Sequence, residues 1–332
     1  MGKKITQLTE LISDGFAPDD LLLVRDVSAT KDKKMAAGVL TGKLLDHNIP
    51  RLVPKDITSY ITDGSIARRL TGGYKSGSSG DKYSLFEDIF VGDYWQMSRA
   101  ITAPDQDSQY ATTGTDWVTI AGIDTLFWTG DQSTGVNYHH LVMVPGKGYT
   151  DAKNHFGRKR MNSTNTTVGG YVASEMHTTT IGEVVSAGST ATGATINQQL
   201  FAEFSGSHPL KLKTTRELLT NQMTATLVNR LGSADGASSG WAWTSVQACL
   251  MTEVEVYGST VFSSSGYDVG SGCLQLPLFR EKRALNNRGS YWWLRAVASS
   301  AAFCSVNYYG LASCSDASYA GNYVRPRFVL GA

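Results

Sequence analysis

The side chains best suited to metal binding or acid–base chemistry are scattered along this chain. His139 and His140 are adjacent, and neighbouring residues on a strand point to opposite faces, so the two imidazoles cannot easily chelate one ion together. We expect one of them to be packed and the other exposed. We predict no bound metal and no cofactor. A structural calcium ion is the less favoured alternative, because no D-x-D-x-D spacing links the four candidate aspartates, Asp93, Asp124, Asp131 and Asp268.

The cysteines do not form a recognisable reactive site either. Cys249, Cys273, Cys304 and Cys314 show no C-x-x-C spacing, which argues against a zinc site. Cys249 and Cys304 stand in apolar surroundings, where a free cysteine behaves as a small core residue. The chain also lacks an H-E-x-x-H motif and a phosphate-binding glycine loop. We therefore predict that it is not an enzyme.

Strand patterns dominate the middle and the end of the chain. Aromatic and β-branched residues predict buried strands at 117–121, 140–144, 291–295 and 323–330. The tryptophans of the third strand should lie in the core, and its arginine and the first arginine of the last strand should be buried anchors. Alternation along the last strand predicts one buried face, and Pro326 indicates an edge or a bulge.

Helix signals are fewer. Apolar spacing predicts a short amphipathic helix within 3–14, followed by a strand over 20–27. Capping-box patterns predict helices that begin at Thr214 and at Thr244. Few helices, many strands and long loops together favour an α+β fold. The glycine- and serine-rich stretch at 72–80 predicts the main domain boundary.

Composition excludes several classes of protein. The chain has 332 residues, 41% of them hydrophobic, only 18% charged, and a net charge of +1. Nucleic-acid binders concentrate basic charge, so we predict no nucleic-acid partner. No run of eighteen apolar residues is present, so we predict no membrane insertion. The start of the chain lacks the apolar core of a signal peptide, so we expect synthesis in the cytoplasm without the usual secretion route.

The most informative stretch lies between the last two predicted strands, where small and polar residues replace the aromatic pattern. Many of its residues share one genetic property: each can be encoded by an asparagine codon whose adenines have been kept or replaced. Trp, Lys, Glu, Gln and Met are not reachable in this way, and none occurs from Ala296 to Tyr323. A plain loop rich in serine, asparagine and tyrosine is the alternative. The residues with this property are Asn307, Tyr308, Tyr309, Leu311, Ser313, Cys314, Ser315, Asp316, Tyr319 and Asn322.

The segments WWLRAVASSAAFCSVNYYG and ASYAGNYVRPRF resemble the variable region of target proteins of diversity-generating retroelements. The resemblance covers 288–330 closely; IFVGDYW, NYHHLVMVP, GWAWTSVQACLMTEVEVYG and SGYDVGSG resemble the family more loosely. It implies a C-type-lectin-like domain, related to the formylglycine-generating-enzyme fold, at 81–332. Its variable region would span about 290–323. Residues 1–80 would then form a region for oligomerisation and attachment to a virion.

This resemblance implies a phage receptor-binding protein, made in the bacterial cytoplasm and carried on the virion as a homotrimer. Its partners would be a protein or glycan receptor on the host cell and, through the N-terminus, other virion proteins. Two alternatives stay open. One is a structural fibre or decoration protein whose lectin-like domain only packs, and the other is an enzyme of the formylglycine-generating type.

The resemblance also implies one exposed ligand-binding patch. A strand pattern would point Cys304 and Val306 inward and their neighbours outward, with a turn at Gly310. The tyrosines would be the main energetic anchors of binding. The expected patch comprises Tyr291, Ala302, Ser305, Asn307, Tyr308, Tyr309, Leu311, Ser313, Cys314, Ser315, Asp316 and Tyr319.

Overall fold

The chain divides into two compact units, Met1–His47 and Asn48–Ala332. The helix predicted within 3–14 lies outside the described residues. The computed structural model describes the backbone of two strands in the first unit and, beyond them, residues 47–130, 136–150, 154–220, 241–263, 274–285 and 291–332.

The first unit contains a β-hairpin. Its strands, β1 (Leu21–Asp26) and β2 (Lys31–Ala36), pair antiparallel. The strand predicted over 20–27 is therefore confirmed.

The second unit is built mainly from strands, with short helices between them, so the described fold is mixed and compatible with an α+β class. Its helices are α1 (Thr58–Thr62), α2 (Ser65–Thr71), α3 (Ile196–Glu203), α4 (Glu253–Tyr257) and α5 (Lys282–Leu285), with a π-helical segment at Met176–Gly182 and a 3-10 turn at Pro277–Arg280. Its strands are β3 (Tyr94–Ile101), β4 (Thr115–Ile123), β5 (His140–Pro145), β6 (Lys211–Lys213), β7 (Thr215–Thr220), β8 (Trp241–Val246), β9 (Ala248–Leu250), β10 (Trp292–Val297), β11 (Ala302–Val306), β12 (Ala312–Asp316) and β13 (Pro326–Gly331).

The largest sheet has the strand order β3-β4-β5-β13-β6, and β9 also pairs with β13. The C-terminal strand β13 is thus central, with β5 on one side and β6 and β9 on the other. All six residues of β13 are buried, which corrects the prediction of one buried face. Pro326 is compatible with this central position because it is the first residue of the strand, where a missing N–H disturbs the ladder least.

One hydrophobic core extends through the second unit. Ile57, Ile66 and Leu70 are buried in the same cluster as the strand residues. The boundary expected at 72–80 therefore falls inside this compact unit, where 76–80 is an exposed turn. Among the described residues, no helix is both long and apolar enough to cross a membrane.

The helix predicted from Thr214 is wrong, and the helix predicted from Thr244 through Val254 begins only at Glu253. The residues that follow Thr214 and those around Thr244 instead form strands β7 and β8. These strands pair antiparallel, with Thr215 opposite Val246. Glu217, three residues after Thr214, completes the capping-box pattern in the sequence, but its carboxylate instead binds arginines in the interior. A capping box does form downstream, where Thr252 caps α4 and Glu255 returns the bond. The local pattern was outweighed by long-range pairing and charge, as tertiary context often outweighs propensity.

The second sheet carries the stretch that resembles a variable region. Its strand order is β10-β11-β12, all antiparallel. Strand β10 is tied to the rest of the unit, because Trp293 N–H donates to Tyr323 O at 3.0 Å and Arg295 N–H donates to Met251 O at 2.9 Å. Trp292, Trp293 and Leu294 are fully buried, which confirms their predicted core position.

We predict that Trp293→Ala lowers the free energy of unfolding by roughly 3–5 kcal/mol, because it removes a large buried side chain. The substitution also leaves the Lys159 carbonyl without the indole N–H that donates to it at 2.7 Å. Urea denaturation measures the loss. Tyr309→Ala is the matched aromatic control on the same sheet; because Tyr309 is 62% exposed, its change should stay within about 0.5 kcal/mol. Equal losses in the two variants would contradict the division into scaffold and displayed residues.

Candidate functional site

A buried network of charges fixes the strands that carry the candidate site. The fully buried Arg327 of β13 binds the carboxylates of Glu217 on β7 and Glu255 on α4. Arg295 of β10 lies 3.4 Å from Glu217 and donates to Cys249 Sγ at 3.2 Å. The network joins four elements across the unit. It confirms the prediction that Arg295 is a buried anchor, and Arg325 is buried as well.

The arginines also determine the protonation state of Glu217. Burial by itself would raise the pKa of this carboxyl, but the charges of Arg327 and Arg295 outweigh that effect and hold the pKa below its usual value of 4.5. A folded-state pKa below the unfolded one stabilises the fold at neutral pH. That contribution is lost as the pH falls below 4.5 towards the folded-state pKa.

Glu253 is a second buried carboxylate that supports the candidate site. Glu253, at the start of α4, accepts hydrogen bonds from the backbone N–H groups of Val261, Phe262 and Ser263 at 2.8–3.1 Å. Ser263 Oγ in turn lies 3.8 Å from Cys304 Sγ on β11. Glu253 therefore holds 261–263 against one face of the second sheet.

Strands β11 and β12 form a hairpin whose tip is 307–311. Asn307 N–H donates to Leu311 O at 2.9 Å, and Asn307 Oδ1 accepts from the N–H groups of Tyr309 and Leu311 at 2.9 and 3.0 Å. Gly310 has a φ of 80°, a conformation that glycine adopts without steric cost. Tyr257 Oη donates to Gly310 O at 3.3 Å. The tip thus has a defined shape, and Asn307 supports it from within.

The structure exposes part of the predicted patch. Tyr308, Tyr309, Leu311, Cys314, Asp316 and Tyr319 are exposed, and Tyr291, Asn307, Ser313 and Ser315 are half-buried.

Ala302 and Ser305 are buried, which corrects the prediction that they lie on the surface. β11 is the middle strand of its sheet, and both of its faces are covered. Ser305 stands opposite Trp293 on one neighbour and Ser313 on the other, and its Oγ lies 3.4 Å from Ser315 Oγ. The expected alternation along β11 fails because alternation requires one solvated face.

The tyrosines of the predicted patch form two groups rather than one. At the tip, the Tyr308 ring lies 4.1 Å from Tyr309 and 5.7 Å from Tyr291. A hydrogen bond between the first two phenols raises the pKa of Tyr308. Tyr319 follows β12 at its far end and packs on Tyr110 at 5.9 Å. The five residues of β12 separate the groups by roughly 17 Å at the usual rise per residue.

Tyr110 and Tyr257 were missed by sequence reasoning. Tyr110 lies in a polar segment without periodicity, so no local signal links it to the C-terminal end. Tyr257 belongs to a short helix whose predicted start was misplaced. Both contacts become visible only when distant segments of the chain are brought together.

The edge of β12 that faces away from β11 pairs with no strand among the described residues, and it adds main-chain groups to the surface. The hydrogen bonds from Asn307 N–H to Leu311 O and from Ala317 N–H to Ala301 O mark the two ends of the β11–β12 ladder. Hydrogen-bonded and non-hydrogen-bonded residue pairs alternate between these two ends. Ala312, Cys314 and Asp316 belong to non-hydrogen-bonded pairs, so their N–H groups point away from β11. Together with the tyrosines, they can offer contact area and hydrogen-bond donors to a ligand.

The adjacent histidines occupy different environments, as predicted. His140 is buried and its Nε2 accepts from Leu126 N–H at 3.1 Å, whereas His139 is partly exposed and its Nδ1 lies 2.7 Å from Asp124 Oδ2. Among the described residues, no group of three or more His, Cys, Asp or Glu could hold a metal ion. Asp131 and Asp268 lie outside the described residues.

No protein-family model, no curated protein and no solved structure matches the chain.

We predict that Glu253→Gln loosens the support under the hairpin. A glutamine offers one oxygen in place of two, so part of the N–H array at 261–263 loses its acceptor, at a cost of about 1–3 kcal/mol in unfolding free energy. Hydrogen exchange should quicken at 261–263. Glu281→Gln is the control, because this half-exposed carboxylate pairs with Arg283 on the surface and should matter by less than about 1 kcal/mol. Unchanged exchange in Glu253→Gln would contradict the assigned role.

Proposed function

We propose that this chain is a phage receptor-binding protein whose C-terminal hairpin displays a retroelement-diversified ligand-binding surface on a lectin-like scaffold. The observation that carries the proposal is the contrast between the hairpin tip and its support. Exposed tyrosines and a leucine occupy the tip, while the adjacent strand β10 is completely buried. Side chains can therefore change at the tip without disturbing the core.

The physical properties of the tip resemble those of an antibody combining site. Tyrosine provides a large contact area at a low cost in side-chain entropy, and serine and asparagine provide adaptable hydrogen bonds. The turn held by Asn307 and the bond from Tyr257 to Gly310 reduce the freedom that binding would otherwise have to restrict. These properties favour a binding surface over a purely structural domain.

Oligomerisation would compensate for a weak single site. We place homotrimer formation and attachment to other virion proteins in the N-terminal region, which includes the β1–β2 hairpin. Three copies facing one host cell would gain apparent affinity through effective concentration. The receptor would be a protein or a glycan of the host cell surface. Light scattering on the full chain measures the number of copies.

Genetic variation tests the diversification directly. We expect related phage isolates to vary at exposed positions such as 308, 309, 311 and 319, and to keep the tryptophans of β10. The buried positions 302 and 305 should accept only small residues, because larger ones would overpack a filled interior. Sequencing the flanking DNA should reveal a reverse transcriptase and a near-copy of the 3′ end with asparagine codons. Variation spread evenly over the chain would favour the structural fibre or decoration protein instead.

We expect replacement of Tyr308 and Tyr309 together by serine to abolish binding of the full chain to envelopes of the host cell, with folding unchanged. Both rings are exposed, and tyrosines often dominate the energy of an interface. Binding of labelled protein to isolated envelopes measures the effect. Trp128→Ser is the control, because it removes an aromatic ring that is 77% exposed outside the hairpin. Unchanged binding by the double variant would place the ligand site elsewhere.

A further inference from the structure

Two cysteines face each other across the displayed hairpin. In the antiparallel register of β11 and β12, Cys304 is the direct partner of Cys314. Both are free thiols in this structure. Directly opposed residues of an antiparallel pair project from the same face of the sheet, so the two thiols are cross-strand neighbours.

The ladder also fixes which type of pair they form. Hydrogen-bonded pairs occur at 307 with 311 and at 301 with 317, and bonded and non-bonded pairs alternate along the strands. Counting inward from either end makes Cys304 and Cys314 a non-hydrogen-bonded pair. In such pairs the Cα atoms lie about 4.5 Å apart, which falls within the separation of about 4.4–6.8 Å that a disulfide spans.

The surroundings give the two thiols different reactivity. Cys314 is exposed, whereas Cys304 is fully buried beside Ser263. Burial, together with the nearby charge of Glu253, raises the pKa of Cys304. Reagents in solution therefore meet Cys314 first. Because burial and the Glu253 charge both disfavour a thiolate at Cys304, neither stabilises the deprotonated, reduced form over a disulfide.

We propose that Cys304 and Cys314 form a reversible cross-strand disulfide when the chain meets an oxidised low-molecular-weight thiol such as glutathione disulfide. The Cys314 thiolate attacks one glutathione sulfur and displaces a glutathione thiolate, leaving a mixed disulfide on Cys314. Cys304 then loses its proton, attacks the Cys314 sulfur and displaces the second glutathione. The chain loses two protons and two electrons, and one glutathione disulfide becomes two glutathione thiols.

This bond would close the hairpin around its tip, since 305–313 lies between the two cysteines. The tip tyrosines would then stand on a covalently joined pair of strands, which restricts the unfolded chain and the motion of the free surface. The proposal does not depend on the identity of the ligand or on the binding function proposed above.

Peptide mapping of the full chain distinguishes the possible pairings. Trypsin leaves Ala296–Arg327 as one peptide, because it does not cut between Arg325 and Pro326 and no other Lys or Arg lies within this range. After incubation with glutathione disulfide and alkylation, we expect this peptide to carry no alkyl groups and to have lost two hydrogen atoms. Chymotrypsin, which cuts after Tyr308 and Tyr309, should then yield two peptides joined by a disulfide. Reduction should restore two alkylated cysteines.

Matched variants test the order of events and the remaining thiols. Cys314→Ser should leave Cys304 unreactive towards glutathione disulfide, whereas Cys304→Ser should stop at a mixed disulfide on Cys314. Cys273 lies outside the described residues, so Cys273→Ser serves as the control and should oxidise like the natural chain.

Oxidation should raise the thermal midpoint of the natural chain by at least about 2 °C, and leave that of Cys314→Ser unchanged. A disulfide from either cysteine to Cys273 or Cys249, or two thiols that remain alkylatable, would overturn the proposal.

Discussion

The rest of the described structure depends on the buried ion network around Arg327. A fully buried guanidinium is tolerated only where carboxylates neutralise it, because an unpaired charge in the interior costs several kcal/mol. Glu217 and Glu255 provide that neutralisation. They come from segments more than seventy residues away along the chain. The strands and the helix that carry these charges can therefore take only one arrangement around the C-terminal strand β13.

The same network fixes the platform under the hairpin. Arg295 shares Glu217 with Arg327, so β10 is held in place by the charges that hold β13. Two further contacts extend this support outward, one from Glu253 through 261–263 and one from Tyr257 to the hairpin turn. Burial is complete along β10 and β11 and becomes partial only in the outermost strand, β12. Side chains at the outermost strand and tip are consequently the ones with freedom to vary.

Sequence reasoning succeeded where a segment carries its own strong pattern. The apolar runs that became β4, β5, β10 and β13 could be placed from residue types alone, because burial on both faces requires such runs.

Sequence reasoning failed where a side chain contacts residues that are distant along the chain. Glu217 has the spacing of a helix cap, yet its oxygens bind two arginines far along the chain. Ser305 has the polarity of a surface residue, yet it fills the space between Trp293 and Ser313. Neither outcome could be derived from neighbours in sequence.

The hairpin tip also shows which of its positions depend on their own side chain. The side-chain oxygen of Asn307 accepts hydrogen bonds from two N–H groups of the turn. Replacing Asn307 by a residue without a side-chain oxygen would leave these two N–H groups bonded only to water. Asp or Ser could accept most of the same hydrogen bonds. At Tyr308 and Tyr309 the backbone needs nothing from the side chain, and any residue that tolerates exposure fits there. The tolerance of each position to mutation thus follows from whether its side chain completes the turn or only faces solvent.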